Sequence, residues 1–339
     1  MPNRLLKWRP AVDVSWAAQR HLRVKTSALV LERCTPRWHT AHMQFINTPT
    51  LRVGYQEWLP QAPQQDRTIV LIHGWPDSPR CWAQVAPALV AAGYRVIAPA
   101  LRGFSPTTFL NEATPRTGQL ASLGRDLIDF VHALKLNKPV LVGHDWGARA
   151  AANACGLAHG IASHLVLISV GYGTNNPNQT LSMAQVRNYW YHWFMATPRG
   201  QATVRAQGKD FAKIMWDTWS PAGWYTPEEF EATAQAFDNP DWPEVTLHSY
   251  CHRWGHAPDD PAYVADDAAL NPAPVLAVPT LMLHGAADGV SLPETSAGKE
   301  AFFSGPYERE LLAGLGHFPQ RENPQAVSEA VLRFLAKHA

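Results

Sequence analysis

Residues 139–147 read PVLVGHDWG. Pro139–Val142 is a short apolar run of the kind that forms a buried strand, and a helical segment, Ala148–Ala158, follows at once. Between them, Gly143-His144-Asp145-Trp146-Gly147 has the small-x-nucleophile-x-small spacing of a strand-to-helix elbow. Its glycines permit the strained turn that lifts the middle side chain clear of the backbone. A Gly-x-Asp-x-Gly match arises by chance in roughly one such sequence in ten. Its place between a strand and a helix gives it weight. The competing reading makes Asp145 a plain helix N-cap.

Working outward, similar apolar runs recur at Thr68–Ile72 (TIVLI), Arg95–Ala98, Leu165–Ile168 and Thr280–Leu283. Such runs suit central strands of a parallel sheet, buried on both faces. Helical segments are expected at Arg80–Ala92, Gly118–Leu134, Pro293–Phe303 and Pro324–His338. Met43–Asn47 and Leu51–Gln56 read as a strand pair turning at Thr48-Pro49-Thr50. Alternating strands and crossover helices predict an α/β fold with a mostly parallel, doubly wound sheet. One stretch between Ile168 and Thr280, about 110 residues, is too long for a loop. It carries seven of the 14 tryptophans and no parallel-strand run. Residues 172–275 are therefore expected to form a helical cap, with 41–171 and 276–339 as the core and 1–40 as a poorly ordered extension.

Composition narrows the class. Lys+Arg number 29 and Asp+Glu 28, and only 17% of residues are charged, which disfavours a disordered or nucleic-acid-coating chain. The first 40 residues hold eight basic and two acidic residues, leaving 21 and 26 beyond. That extension is Arg-rich like a transit peptide, but reads more simply as a loosely attached leader or an over-long translation start. No run approaches the ~18 apolar residues of a membrane span. Cys34, Cys81, Cys155 and Cys251 are widely spaced, as expected of reduced thiols in a cytoplasmic protein.

Aspartate rather than serine in the elbow points to a particular chemistry. A carboxylate that attacks a saturated carbon forms an ester that water can hydrolyse; a serine would form an inert ether. The partners follow in the order nucleophile, acid, histidine. Asp288 lies just beyond the strand in TLMLHGAAD, and His317 lies in the glycine-rich loop of LAGLGHFP. An imidazole held by a buried carboxylate is a suitable general base. The other acid position, after Ile168, has only Asn175 and Asn176 nearby. His284, inside a buried run, is expected to be a packed, hydrogen-bonded histidine. In His73-Gly74-Trp75-Pro76, the Trp75 N–H, together with that of Trp146, is a natural oxyanion donor. Pro76 is expected to fix that loop, with a cis peptide an option.

HGWPDS, GHDWG, HGAADG and GHFPQRENP together resemble the epoxide hydrolase branch of the α/β-hydrolase superfamily, which also holds haloalkane and haloacetate dehalogenases. The likeness covers residues 41–338. It implies two cap tyrosines that bind and protonate the epoxide oxygen. Tyr191 in NYWYHWFMATP and Tyr250 in TLHSYCHRWG fall at these positions, while Tyr189, Tyr225 and Tyr263 are expected to be core residues. His73, Trp190 and His192 are expected to line the substrate pocket. The resemblance further implies a small apolar epoxide and water as partners, no cofactor, no metal, no nucleic acid, and a monomer or homodimer.

Fluoroacetate dehalogenases are similar around the elbow but place arginines directly after the nucleophile and three residues later. Here the first is Trp146 and only Arg149 remains. Haloalkane dehalogenases usually have Asn where this chain has Trp75. A dehalogenase with the same Asp-His-Asp set is the nearest rival reading, and a receptor-like binder with marginal turnover is another. His248, Cys251, His252 and His256 match no zinc pattern well. Asp259-Asp260 and Asp266-Asp267 read as solvated loop charges. Trp216–Trp224 is expected to pack the cap on the core and wall an apolar pocket, a protein-docking surface being the alternative.

Overall fold

The computed structural model describes residues 42–62, 67–174 and 179–339. The expected extension, like Asn175 and Asn176, lies outside the described residues. The strands are β1 (His42–Asn47), β2 (Leu51–Trp58), β3 (Thr68–Ile72), β4 (Arg95–Pro99), β5 (Thr108–Phe109), β6 (Val140–His144), β7 (His164–Ile168), β8 (Thr280–Gly285) and β9 (Tyr307–Leu312). They form one sheet in the order β1-β2-β4-β3-β6-β7-β8-β9, with β5 pairing β2. From β4 to β9 every pairing is parallel, and β1 and β2 add an antiparallel edge.

The short apolar runs form strands because every residue can be buried. In β3, Ile69 and Leu71 join the cluster on one face with Trp82, Leu89 and Phe334, while Val70 and Ile72 join the other with Leu123, Leu127 and Ala151. Period-two side-chain alternation sends neighbours to opposite faces, so helices must cover both. These are α1 (Ala86–Ala91), α2 (Leu120–Ala133) and α3 (Trp146–Leu157), joined by a C-terminal α11 (Pro319–Glu322) and α12 (Pro324–Lys337). Helix α3 is rich in alanine, and Ala148 to Ala154 are buried, which lets it lie close to the sheet and to α2.

Between β7 and β8 the chain forms only helices among the described residues: α4 (Met183–Asn188), α5 (Trp190–Met195), α6 (Pro198–Ala206), α7 (Gly208–Thr218), α8 (Pro227–Ala234), α9 (Trp242–His252) and α10 (Val264–Ala269). Their starts are written in the sequence. Thr197 and Thr226 each precede a proline at the first helical position and accept a hydrogen bond from the N–H three residues on.

Two expected helices differ. Arg80–Ala92 is a 3₁₀ turn, Pro79–Trp82, followed by α1, because Pro87 has no N–H to continue a single helix and begins a new one instead. Pro293–Phe303 is two 3₁₀ turns, Pro293–Ser296 and Glu300–Phe302. Gly298, at φ +65°, turns the chain out of the helical region between them. Strand β9 was not expected. Its sequence, YERELL, carries charge because it lies at the sheet edge.

Candidate active site

The parallel strands β3, β6, β8 and β9 deliver the chemistry in the loops beyond their carboxyl ends, where ligands bind in open α/β sheets. Past β6, Asp145 adopts φ +48°, ψ −110°, a region that side-chain-bearing residues avoid. The turn is tight enough that a Cβ on Gly143 would collide with the Gly147 carbonyl, and one on Gly147 with the Ile72 carbonyl. Asp145 makes no side-chain cap to α3, so the N-cap reading fails. Instead its Oδ1 accepts the Trp75 N–H at 3.0 Å from the loop after β3. The Trp75–Pro76 peptide is cis. Trp146, as the first residue of α3, presents an N–H that has no acceptor within the helix.

His317 lies opposite. Its Nε2 is 3.8 Å from Asp145 Oδ2, is buried and makes no hydrogen bond among the described residues. Its Nδ1 donates to Asp288 Oδ2 at 2.8 Å. Asp288 Oδ1 accepts the N–H groups of Val290 (2.9 Å) and Ser291 (2.8 Å). Burial pushes Asp288 upward, but the His317 charge and the hydrogen bonds from His284 and His317 outweigh it and hold the group at about 2. Burial opposes the imidazolium of His317, and the Asp288 and Asp145 charges reverse that, raising it above its ordinary 6.5. The base loop is fastened from the helical segment. Ser220 Oγ accepts the His317 N–H at 2.8 Å and donates to Glu322 at 2.7 Å.

Above the carboxylate stands an aromatic cage. Trp75 stacks on Tyr191 (ring centroids 5.8 Å, 7°) and meets Tyr250 edge-on at 4.9 Å. Tyr191 and Tyr250 lie 5.2 Å apart, and Trp219 covers His317 at 4.9 Å. Tyr250 Oη accepts from Trp146 Nε1 at 3.2 Å, which leaves its own hydrogen for another acceptor. Burial raises both phenols, so each keeps its proton at neutral pH. Trp75 Nε1 donates to Thr246 at 3.0 Å and Trp216 Nε1 to Pro76 O at 2.8 Å, tying loop to helices.

The alpha/beta hydrolase family model matches residues 69–330. The chain belongs to the α/β-hydrolase family. As a member of that family it is 26% identical over 309 residues to epoxide hydrolase A of Mycobacterium tuberculosis, covering 81% of this chain and 91% of that one. A solved structure from Klebsiella pneumoniae, provisionally assigned as an epoxide hydrolase, shares 35% identity. It superposes with a TM-score of 0.79 over 86% of this α/β hydrolase and 96% of that chain. Potato epoxide hydrolase I, at 22% identity, has the same fold with a TM-score of 0.69 over 87% of this chain and 99% of its own. Among the described residues no helix is long and apolar enough to cross a membrane.

Within this hydrolase, Asp145, Asp288, His317, Trp75, Trp146, Tyr191 and Tyr250 converge. Of the other expected site residues, Trp190 and His73 do not. Trp190 is 40% exposed and packs against Phe194 and Phe211, away from the cage, because α5 turns it outward as it turns Tyr191 in. His73 is spent on its own loop: Nδ1 donates to Gly74 O at 2.8 Å and Nε2 accepts the Leu101 N–H at 3.0 Å. Burial pushes it down to about 4. His192 is buried beside Tyr250, 4.7 Å between rings. His284 is packed and bonded to Ser296 and Ser291, as expected.

Tyr189 and Tyr263 are buried, Tyr263 accepting from Arg102 at 2.9 Å, and Tyr225 bonds Lys213 at the surface. Asp266 and Asp267 are not free loop charges: they open α10, where Asp266 pairs with Arg125 and Asp267 accepts from Gln119. Asp260 is likewise buried and caps Ala262. His248, Cys251, His252 and His256 do not converge; His248 bonds the Gly118 N–H, Cys251 the Met195 carbonyl and His252 Asp259. Trp216 is fully buried and Trp224 stacks on Phe318 at 4.6 Å, so that tryptophan-rich stretch packs inward.

Proposed function

We propose that this α/β hydrolase opens epoxides to vicinal diols through an ester on Asp145, with residues 172–275 serving as the cap. Oδ1 stays on the Trp75 N–H while Oδ2 attacks an epoxide carbon and breaks its C–O bond. The resulting alkoxide is a poor leaving group without a proton, which Tyr191 or Tyr250 supplies. His317 Nε2 then takes a proton from water, whose oxygen adds to the Asp145 carboxyl carbon. The oxyanion forms on Oδ1 against the Trp75 and Trp146 N–H groups. Collapse breaks the bond from Cγ to the alkyl oxygen, which takes the proton held on His317 and leaves as the diol; the water oxygen stays on Asp145, whose acid proton returns to the tyrosine phenolate. Asp288 orients the imidazole throughout.

The observation that carries this reading is the pair of buried tyrosines, ring centroids 5.2 Å apart, in the cage over Asp145, where burial favours their protonated form. A halide leaves without a proton, so a dehalogenase has no use for them. The aromatic walls suit an apolar substrate body. The buried free thiols of Cys81, Cys155 and Cys251 support a cytoplasmic setting, and a monomer or homodimer suffices for the site. The test is diol formation from styrene oxide beside halide release from 1-chlorobutane. Each single Tyr→Phe change at 191 or 250 is expected to cost about 10²-fold in diol formation and the double change more. Diol formation that survives the double change removes the phenols from the mechanism, and halide release faster than diol formation reverses the assignment.

A further inference from the structure

Beside the cage, a cleft with about 280 Å³ of empty space, its open mouth included, is lined by Arg149, Tyr189, His192, Arg253 and Trp254 among others. Arg149 sits one helical turn beyond the nucleophile, its N–H bonded to the Asp145 carbonyl at 3.1 Å. It is 8% exposed, its Nη1 reaches only Thr174 Oγ1 at 3.3 Å, and its Nε has no hydrogen-bond partner. Arg253 ends α9; its guanidinium lies 4.5 Å from the Tyr250 ring and 5.7 Å from that of Trp146. Its Nε is also buried without a partner, and it donates only to Ser249 Oγ at 3.2 Å.

Elsewhere in the described chain, buried arginines meet carboxylates: Arg102 with Asp126 at 2.6 Å, Arg321 with Asp77 at 2.6 Å. Among the described residues Arg149 and Arg253 meet none, and no carboxylate lines their cleft. A guanidinium stays charged at any working pH, so two of them share one cleft without an ion-pair partner; Arg149 feels the Asp145 charge, and the half-buried Arg253 has the Tyr250 ring beneath it. A third donor joins them. Trp254 Nε1 donates to His192 Nδ1 at 3.0 Å, which places the proton of the neutral imidazole on Nε2, itself buried and without an acceptor. Burial and the charges of Arg253 and Arg149 push this imidazole well below its ordinary value and keep it neutral.

We propose that Arg149, Arg253 and His192 form an anion subsite next to the reacting centre, and that it takes a carboxylate carried by the epoxide substrate itself. A carboxylate offers four lone-pair positions to the two forks and the imidazole N–H, and bidentate pairing rewards its planar shape. The substrate class is then an epoxide with an aromatic or aliphatic body against the cage and a carboxylate a few bonds from the ring. This inference rests on the epoxide reading for the chemistry but not for the binding.

Two measurements on the full chain separate them. The first compares kcat/KM for 3-phenyloxirane-2-carboxylate and for its carboxamide, which match in shape and differ in charge. The carboxylate is expected to lead at least tenfold in the wild type, and the ratio to fall towards unity in Arg253→Gln through a higher KM for the carboxylate. Equal rates, a lead for the carboxamide, or a ratio unmoved by Arg253→Gln overturns the subsite. The second titrates phenylacetate and phenylacetamide calorimetrically. Only the anion is expected to bind, at least tenfold more weakly to Arg253→Gln after circular dichroism shows that variant folded. Equal binding of the two probes to the wild type, which needs no variant, overturns the subsite. Selective anion binding with no diol from either epoxide keeps the subsite and overturns the epoxide reading.

Discussion

The sheet and the helical segment above it hold their functional groups by different means. On the sheet side, each group has directed hydrogen bonds: Asp145 accepts from the Trp75 N–H, Asp288 from two backbone N–H groups, and His317 donates to Asp288. On the helical side, Tyr191, Tyr250 and His192 are held chiefly by ring packing, and His192 Nε2 and Arg253 Nε are left without partners. Backbone-anchored groups have one geometry and suit a fixed bond-making sequence. Groups set by packing and left with spare donors are the ones a ligand completes. On the proposed mechanism the floor therefore supplies the nucleophile and the base, and the roof supplies the acid and the choice of substrate.

If that division holds, damage to the floor should separate the two half-reactions. His317→Gln is expected to lower steady-state diol formation about 10³-fold while ester formation continues. Intact-protein mass spectrometry should then show substrate mass on the chain; loss of adduct along with turnover would erase the distinction between nucleophile and base. Asp288→Asn is expected to cost about 10²-fold at the plateau and to move the acid limb of ester hydrolysis. In the wild type the rate falls as pH drops through the His317 value, which Asp288 holds above 6.5. Without that charge, burial dominates and the imidazole titrates lower, so the limb shifts to lower pH. A shift to higher pH in the single-turnover profile would contradict this. The smallest effect is expected where roof meets floor. Ser220→Ala removes the hydroxyl that seats the His317 N–H, for about 1 kcal/mol of stability and a few-fold in kcat. A chemical denaturation curve and the KM, expected unchanged, check it.

The same contrast sets how much could be read in advance. That Asp145, Asp288 and His317 meet was legible because strand ends, glycines and chain order mark them out. The meeting of Tyr191 with Tyr250 was legible only through family resemblance. Tyr189 to Phe194 is an unbroken aromatic run, YWYHWF, so no polar face shows that Trp190 points out and Tyr191 in. His73 looked like a pocket residue because it adjoins the oxyanion loop, and its two backbone bonds depend on Leu101, 28 residues away. Strand β9 was missed because an edge strand lacks the apolar run that marked the others. The significance of Arg149 and Arg253 was not legible either. That a charge lacks a partner becomes visible only once every neighbour has been placed.

The central claim is that water attacks an ester on Asp145 and never touches the epoxide carbon. A single turnover with enzyme in excess over styrene oxide in ¹⁸O-water, followed by peptide mass analysis, tests it directly. The account predicts one heavy oxygen in the peptide containing Asp145 and none in the diol. Heavy oxygen in the diol and none in the peptide would mean direct attack by water and would contradict it.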